Sequence, residues 1–256
     1  MKKKIPLIFL AIVFLIATAF SAWQLFGIFF EYRQGENTYD ELSQFATTPT
    51  PPPASTDTPE VTPAPDETIW PEVDFAGLQA INDDVVAWIY LEDTHINYPV
   101  VLGSDNEYYL NHMYNGKGNG AGSIFMDYRN RGDFSDPNTI LYGHRMNNGT
   151  MFADISKYSN REFFDTHPYV LIITPDAKYK AEVFSAYIAN TTYSSWDLYF
   201  DGADTYLQWL KSIKSRSYFN RDISFSETDC AVTLSTCTYE FEDARFVVHA
   251  ILREIE

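Results

Sequence analysis

A cysteine and an arginine near the C-terminus have the types and spacing that suit nucleophilic chemistry. Cys237 ends an apolar run with the pattern of a strand, and Arg245 begins the next such run after a short polar connection. If the two runs form an antiparallel hairpin, facing residues have Cβ atoms about 5 Å apart. A neighbouring guanidinium favours the thiolate form of a cysteine and stabilises the oxyanion that forms when a thiolate attacks a carbonyl. The alternative is that Cys237 is a small core residue and Arg245 a surface charge.

A thiolate nucleophile also needs a group that protonates the leaving amine, and histidine is the usual one. Of the five histidines, His144 follows a predicted strand at the point where it opens into a glycine-containing loop. Loops held by a rigid strand commonly carry catalytic groups. His249 shares the face of Arg245 but lies about 13 Å further along the strand, too far to serve Cys237. The remaining three are predicted at a turn or on the surface: His95, His112 and His167. His144 is therefore the first candidate for the acid/base.

Strand alternation sorts the residues around the cysteine onto two faces. Ser235 has the parity of Cys237 and is a candidate substrate contact, together with its neighbour Thr236. The alternative for Ser235 is a hydroxyl whose hydrogen bonds are satisfied within the sheet. Cys230 falls on the other face with apolar neighbours, and we expect it to be buried and inert.

The two cysteines are too far apart for a disulfide, although oxidising compartments favour one. Seven strand steps of about 3.3 Å separate Cys230 from Cys237 by about 23 Å, whereas a disulfide needs Cα atoms about 4.4–6.8 Å apart. We therefore expect two free thiols. No spacing of Cys, His and carboxylates predicts a metal site, and we expect no cofactor.

Net charge excludes one class of function. The formal charge of −17 makes the chain repel nucleic acid phosphates, so we expect no nucleic acid partner. Such acidity is typical of a protein kept soluble in a charged exterior.

The N-terminus has the composition of a membrane anchor. Residues 5–30 carry no charged side chain and follow three lysines. A helix of about 20 apolar residues crosses the bilayer core, and its basic side stays in the cytoplasm. The alternative is a cleaved signal peptide, but the apolar region of those is only about 7–15 residues long. We predict a cytoplasmic tip and anchor at residues 1–30, a single-pass topology and an extracellular catalytic domain.

A polar stub and a proline- and threonine-rich spacer follow, over residues 31–68. The composition of residues 46–68 cannot bury enough apolar surface to fold and favours extended polyproline II. At about 3.1 Å per residue it reaches about 70 Å. The segment is interpreted as a spacer that lifts the domain off the membrane, or as tolerated disorder. Either way, the folded domain is predicted to span residues 69–256.

The remainder alternates short strands with a few helices. Asp74 is a plausible N-cap for a helix whose apolar residues recur at helical spacing. Predicted strands cover residues 85–90, 96–102, 123–127, 139–142, 169–174, 179–189, 230–237 and 245–253. Other predicted helical spans are 106–112, 151–158, 161–166 and 203–215. This mainly β pattern with peripheral helices (α+β) predicts a mixed or antiparallel β-barrel.

Several motifs closely resemble those of the sortase family. They are Thr-Leu-Ser-Thr-Cys237, Arg245 before Phe-Val-Val-His-Ala, and Leu-Tyr-Gly-His144. Residues 97–101, 122–130 and 138–144 are similar to class B members, and the resemblance covers roughly residues 75–252. It implies an eight-stranded barrel with an N-terminal helix and a helix at 203–215 inserted before the cysteine strand. It also maps the family's histidine, cysteine and arginine onto His144, Cys237 and Arg245.

The resemblance implies a cell-surface cysteine transpeptidase. Cys237 would cleave a C-terminal sorting motif of secreted proteins after Thr, and a peptidoglycan precursor amine would resolve the thioester, joining protein to cell wall. Some class B members carry an acidic residue directly after the cysteine, where this chain has Thr238. The alternatives are a hydrolytic cysteine peptidase, a pilin-polymerising sortase, and a non-catalytic surface-binding domain.

Overall fold

The computed structural model describes residues 4–47, 70–238 and 243–255. Its α-helices are α1 Lys4–Asp40, α2 Phe75–Ile81, α3 Arg161–Thr166 and α4 Ala203–Ser215. Its strands are β1 Ala46–Thr47, β2 Glu72–Val73, β3 Val85–Tyr90, β4 Asn97–Val101, β5 Ile124–Met126, β6 Asn138–Tyr142, β7 Tyr169–Ile173, β8 Lys178–Asn190, β9 Ala231–Cys237 and β10 Ala244–Ile255. Short 3₁₀ helices cover Glu41–Gln44, Tyr108–Leu110, Ala153–Ser159 and Ser194–Trp196. Every predicted strand and helical span corresponds to one of these elements.

Strands β3–β10 close into a barrel. Their order around it is β10-β8-β7-β3-β4-β5-β6-β9. The pairs β4–β5 and β6–β9 are parallel and the other pairs are antiparallel. Closure satisfies the strand edges that an open sheet would leave unpaired. The predicted mainly β fold, with an eight-stranded barrel, an N-terminal helix and a helix before the cysteine strand, is confirmed.

Alternate residues of β9 and β10 contribute to two different cores. Those that point inward fill the barrel: Val232, Leu234, Phe246, Val248 and Ala250. Those that point outward are covered by α4: Ala231, Val247 and Ile251 pack with Tyr206, Trp209, Leu210 and Ile213. The α4 residues recur at the spacing of one helical face, which explains why this helix lies on the barrel. Cys237 and Arg245 have the outward parity, so they lie on the outer surface of the barrel beyond the area that α4 covers.

His249 is buried on this outer face, between the barrel and α4. Its Nδ1 lies 2.9 Å from Thr233 Oγ1, which itself donates to Asn138 Oδ1 at 2.8 Å. Thr233 therefore accepts from Nδ1–H, and Nε2 accepts from the Tyr187 hydroxyl at 3.2 Å. Both ring nitrogens are satisfied in the neutral form. Burial lowers the pKa of His249 from 6.5 to about 3.

Residues 31–47 pack against the barrel. Tyr39 donates to Gly122 O at 2.5 Å, and Glu31 Oε1 accepts from the Gly120 N–H at 2.7 Å. Leu42 is buried within the barrel's core cluster. The packed unit thus includes residues N-terminal to the boundary predicted at residue 69, which itself lies outside the described residues.

Strands β1 and β2 pair residues that lie on either side of the segment 48–69. Ala46 faces Val73 and Thr47 faces Glu72 in an antiparallel pair. Residues 48–68, which are most of the predicted spacer, lie outside the described residues. Because its flanks are paired strands, about 5 Å apart, it adds no length between α1 and the barrel. A reach of about 70 Å was expected for an extended spacer. The distance between α1 and the barrel does not depend on that reach, since α1 itself contacts the barrel.

The first part of α1 is the single segment among the described residues that is long and apolar enough to cross a membrane. It lies within Phe9–Asp40 and none of its most apolar part is buried against the rest of the chain. A signal sequence near the N-terminus passes the same test of helix length and hydropathy, so the anchor at residues 5–30 stays a prediction.

We predict that His249 makes stability depend on pH in a defined window. Its pKa is lower in the folded chain than the unfolded value of 6.5, so the stability it contributes is complete above pH 6.5. That stability is lost as pH falls from 6.5 towards 3. Between pH 7 and pH 5 this linkage costs about 2 kcal/mol. Urea unfolding of the full chain and of His249→Gln measures it; parallel stability–pH curves for the two proteins would contradict it.

Candidate active site

The β9–β10 register places Cys237 and Arg245 opposite each other. The two residues are direct partners in the antiparallel ladder, and both are half-buried. Arg245 Nη1 donates to Ala244 O at 3.0 Å, and the Thr238 N–H donates to the same carbonyl at 3.2 Å. The predicted hairpin neighbours therefore lie on one face, at the end of the ladder.

Parallel pairing of β6 with β9 brings His144 to the same end. Tyr142 is the strand partner of Ser235, and the Gly143 N–H extends the pairing by donating to Ser235 O at 3.2 Å. His144 follows directly and its Nε2 lies 2.7 Å from Leu110 O. Because a carbonyl only accepts, Nε2 carries the proton. Nδ1 makes no hydrogen bond within the described residues and is the ring nitrogen left for proton exchange.

One cavity of about 250 Å³ contains all five residues predicted for the site. It is lined by His144, Cys237 and Arg245 together with Ser235 and Thr236. The rest of its wall comes from Asn106, Leu110, Phe125, Tyr142 and Gly143. A thiol, an imidazole and a guanidinium thus line one small cavity.

Ser235 and Thr236 differ in the setting of their hydroxyl groups. Ser235 lies on the face of Cys237, and its Oγ accepts a hydrogen bond from Trp196 Nε1 at 3.1 Å. Thr236 has the parity of the barrel-core residues, and its hydroxyl is buried with no hydrogen-bond partner among the described residues. The Ser235 hydroxyl therefore has a hydrogen-bond partner within the protein, as the alternative interpretation expected, and Ser235 also lines the cavity.

Cys230 departs from the expectation that it is buried. It is half-buried, because it precedes β9 and lines a separate surface cavity of about 380 Å³. Burial and the charge of Asp229 raise the pKa of its thiol, which disfavours the reactive form. Both cysteines are free thiols, as expected. Within residues 4–47, 70–238 and 243–255, no group of three or more His, Cys, Asp or Glu is placed to hold a metal ion.

Three polar residues of the site were not found from the sequence. Asn106 and Tyr142 line the cavity, and both hydrogen-bond to the buried Asp127 behind it. The sequence feature that could have indicated Asp127 is the polar run at residues 127–130, directly after the apolar strand β5. This run was used only as part of the family motif at residues 122–130. Residues so distant in sequence are brought together by closure of the barrel.

A larger cavity of about 830 Å³ lies between α1 and the barrel. Its walls include Glu31 and Tyr39 of α1, His95 and Tyr98 of the barrel side, and Asn148 of the loop after His144. None of His144, Cys237 and Arg245 lines it. The smaller cavity, which these three residues do line, is therefore the candidate active site.

Glycine is required immediately before the histidine. A Cβ at Gly143 would lie 2.5 Å from Ile124 Cδ1 and 2.8 Å from two ring atoms of Phe152. Both neighbours are buried core side chains, so they have little room to move. The absence of a side chain allows the chain to leave β6 over the core and present His144.

Comparison with known proteins identifies relatives over most of the chain. The family model described as a sortase domain matches residues 89–253. The chain is 38% identical over 177 residues to sortase B of Listeria monocytogenes, covering 68% of this chain and 72% of that protein.

Solved structures show the same relationship. A sortase B from Bacillus anthracis superposes with a TM-score of 0.73 at 35% identity, covering 89% of this chain and 100% of that one. A Staphylococcus aureus sortase B–substrate complex gives a TM-score of 0.67 at 36% identity, covering 71% and 85%.

Replacing Gly143 by Ala should lower the free energy of unfolding by about 1–3 kcal/mol, since the new methyl group overpacks the core. Urea unfolding measures the change. Gly118→Ala is the matched control, because a Cβ there meets nothing closer than Asn111 O at 3.9 Å. Equal stability of the two variants would show that the loop before His144 has more room than the structure gives it.

Proposed function

This chain belongs to the sortase family of cysteine transpeptidases, and on that premise we propose its reaction. It cleaves a C-terminal sorting motif of secreted proteins after a Thr residue and transfers them to an amine of a peptidoglycan precursor. The observation that carries this proposal is the cavity in which Cys237 faces Arg245 beside His144. The product is a protein anchored to the cell wall.

In the first half-reaction the Cys237 thiolate attacks the backbone carbonyl carbon of the Thr residue in the sorting motif. The S–C bond forms, and the carbonyl electrons move to oxygen to give a tetrahedral oxyanion. The Arg245 guanidinium, opposite Cys237, supplies hydrogen bonds and charge to that oxygen. The Thr238 N–H already donates to Ala244 O, so Arg245 is the donor we assign to the oxyanion among the described residues at this end of the hairpin.

Collapse of the intermediate breaks the C–N bond and leaves a thioester on Cys237. The departing amine needs a proton, and protonated His144 supplies it from Nδ1, while Nε2–H remains bonded to Leu110 O. The fixed Nε2 bond holds the ring in one orientation through the transfer.

The second half-reaction returns the enzyme to its starting state. The acceptor amine attacks the thioester and gives its proton to His144 Nδ1, the new C–N bond forms, and the Cys237 thiolate leaves. Atoms balance without any cofactor. Acceptance of an amine in preference to water makes the outcome transfer instead of hydrolysis.

Ser235 and Thr236 are the proposed substrate contacts within the chain. Ser235 lies on the Cys237 face, where its hydroxyl, held by Trp196, borders the path of the peptide. Thr236 contributes to the wall between Ser235 and Cys237. The Staphylococcus aureus sortase B–substrate complex supports a substrate site in this fold.

We also propose that residues 5–30 anchor the protein in the cell membrane. The N-terminus is cytoplasmic and the barrel is extracellular, where sorting-motif proteins and the acceptor meet. Support comes from the apolar first part of α1 and the three lysines before it.

Replacing Cys237 by Ala should abolish cleavage of every peptide in a panel of sorting motifs, a loss of about 10³-fold or more. The assay uses the full chain in detergent micelles, since residues 31–47 pack on the barrel. Products are identified by mass spectrometry with and without an added amine. Cys230→Ala, which removes the other free thiol, should keep wild-type activity.

Each other outcome has a defined meaning. Cleavage without an amine-joined product would identify a hydrolytic peptidase. No cleavage, with Cys237 inert to alkylation, would identify a non-catalytic surface-binding domain. Cleavage that survives in Cys237→Ala would remove Cys237 from the mechanism.

Replacing Arg245 by Gln should lower kcat about 100-fold with little change in KM, because the oxyanion exists only in the transition state. Steady-state kinetics with the best-cleaved peptide measures it. Arg253→Gln, on the same strand but paired with Asp229, is the control and should have wild-type kcat. A change in KM alone would show that Arg245 binds peptide instead of stabilising charge.

A further inference from the structure

A buried carboxylate lies behind one wall of the active cavity. Asp127 follows β5 directly and its side chain is fully buried. Its Oδ2 accepts from Asn106 Nδ2 at 3.0 Å and from the Tyr142 hydroxyl at 3.1 Å. Asn106 and Tyr142 both line the cavity that contains Cys237, whereas Asp127 does not. One carboxylate oxygen therefore holds two side chains of the wall side by side.

Arg129 fixes this carboxylate in place. Its Nε donates to Oδ1 and its Nη2 to Oδ2, both at 2.8 Å, and its backbone N–H donates to Oδ1 at 3.1 Å. Burial acts to raise the pKa of Asp127, but the hydrogen bonds from Arg129 and Asn106 outweigh it and hold that pKa below its usual value. Asp127 is therefore ionised and can only accept hydrogen bonds.

The ionised carboxylate determines the hydrogen-bond polarity of the wall. Tyr142 must donate its hydrogen to Asp127, so its oxygen presents only lone pairs to any other group. Asn106 cannot flip, because its Oδ1 accepts from the Tyr128 N–H at 3.0 Å while its Nδ2 donates to Asp127. The second Nδ2 hydrogen is left for another acceptor. The wall thus carries one acceptor and one donor next to each other.

We propose that Asp127 is a positioning residue that sets Asn106 and Tyr142 to bind a peptide group of the substrate. The substrate C=O accepts from Asn106 Nδ2, and the substrate N–H donates to Tyr142 Oη. A peptide group has both a C=O acceptor and an N–H donor, which match these two side chains. If Asn106 and Tyr142 could rotate freely, neither would present its hydrogen-bonding atom at a fixed position. The inference rests on the proposed function, because it requires a peptide in the cavity.

The test is Asp127→Asn in the full chain, assayed with the sorting-motif peptide that the wild-type protein cleaves best. An amide accepts through one oxygen only, so at least one of the donors around position 127 loses its acceptor. KM should rise about 10-fold, equivalent to about 1.4 kcal/mol of binding. The kcat at saturating peptide should stay within about 2-fold, and so should the alkylation rate of Cys237, because the reacting groups are untouched.

Asp136→Asn is the matched control. The Asp136 carboxylate also accepts from an asparagine side chain, Asn130 Nδ2 at 3.0 Å, and from a backbone N–H, that of Arg131 at 2.7 Å. Asp136 lies outside the cavity wall. This variant should lose stability while its KM stays at the wild-type value, which separates positioning from general loosening of the loop.

A double-mutant cycle tests whether Asp127 acts through the wall. Because both changes remove the same contact, the KM increases of Asp127→Asn and Tyr142→Phe should be less than additive. Should Asp127→Asn fail to fold, Arg129→Gln takes its place. The Arg129 side chain is 40% exposed, and its loss leaves the carboxylate present but mobile, with an expected KM rise of about 3-fold.

Three results would overturn the proposal: a wild-type KM in Asp127→Asn or its replacement, an equal KM rise in Asp136→Asn, or full additivity in the cycle. Failure of the wild-type protein to cleave any peptide would instead count against the proposed function. The two failures are therefore distinguishable.

Discussion

The register between β9 and β10 is the constraint on which the active site depends. It makes Cys237 and Arg245 strand partners, and both point away from the barrel interior. A slip of one residue would turn one of them into the core, since neighbouring residues of a strand face opposite sides. The register is held on one side by the core residues of the two strands and on the other by α4. The packing of both cores therefore positions the nucleophile.

Parallel pairing extends that constraint to the histidine. β6 lies beside β9, so the loop that begins at Gly143 opens next to Cys237. Leu110 then supplies a carbonyl from a distant 3₁₀ turn, which orients the ring. The site is assembled from four separate stretches of chain, and each stretch is tied to the barrel by backbone hydrogen bonds. The reacting groups need little reorganisation, which is the condition for efficient electrostatic stabilisation.

Local features of the fold were readable from the sequence, and long-range features were not. β3, α3 and α4 have the predicted bounds because each is defined by its own periodicity and flanking residues, and α2 begins directly after the predicted N-cap Asp74. Cys237 and Arg245 were paired correctly because a hairpin joins residues close in sequence. Spacing alone only favoured His144 over four other histidines. The strand pattern predicted a β-barrel, and the family resemblance supplied its number of strands.

What escaped prediction required knowledge of which segments meet. Asp127 and Asn106 are 21 residues apart in sequence, and no periodicity indicates that they touch. The packing of residues 31–47 was hidden in the same way, because a polar stub gives no sign of the surface it contacts. Composition indicated a spacer or tolerated disorder over residues 46–68, whereas only the β1–β2 pair reveals that Thr47 and Glu72 are neighbours.

The continuity of α1 into the packed domain has a consequence for where the reaction takes place. With residues 5–30 in a bilayer, the helix from Phe30 to Asp40 reaches only about 15 Å beyond it, at 1.5 Å per residue. The helix then fixes the distance between the membrane and the barrel. The length of the segment between Thr47 and Glu72 does not affect that distance, because its flanking residues are paired. With the proposed anchor in place, Cys237 would lie in a thin layer above the membrane. A partner held in the same membrane would meet Cys237 by diffusion in two dimensions, so its surface density, and not its bulk concentration, would set the frequency of encounters.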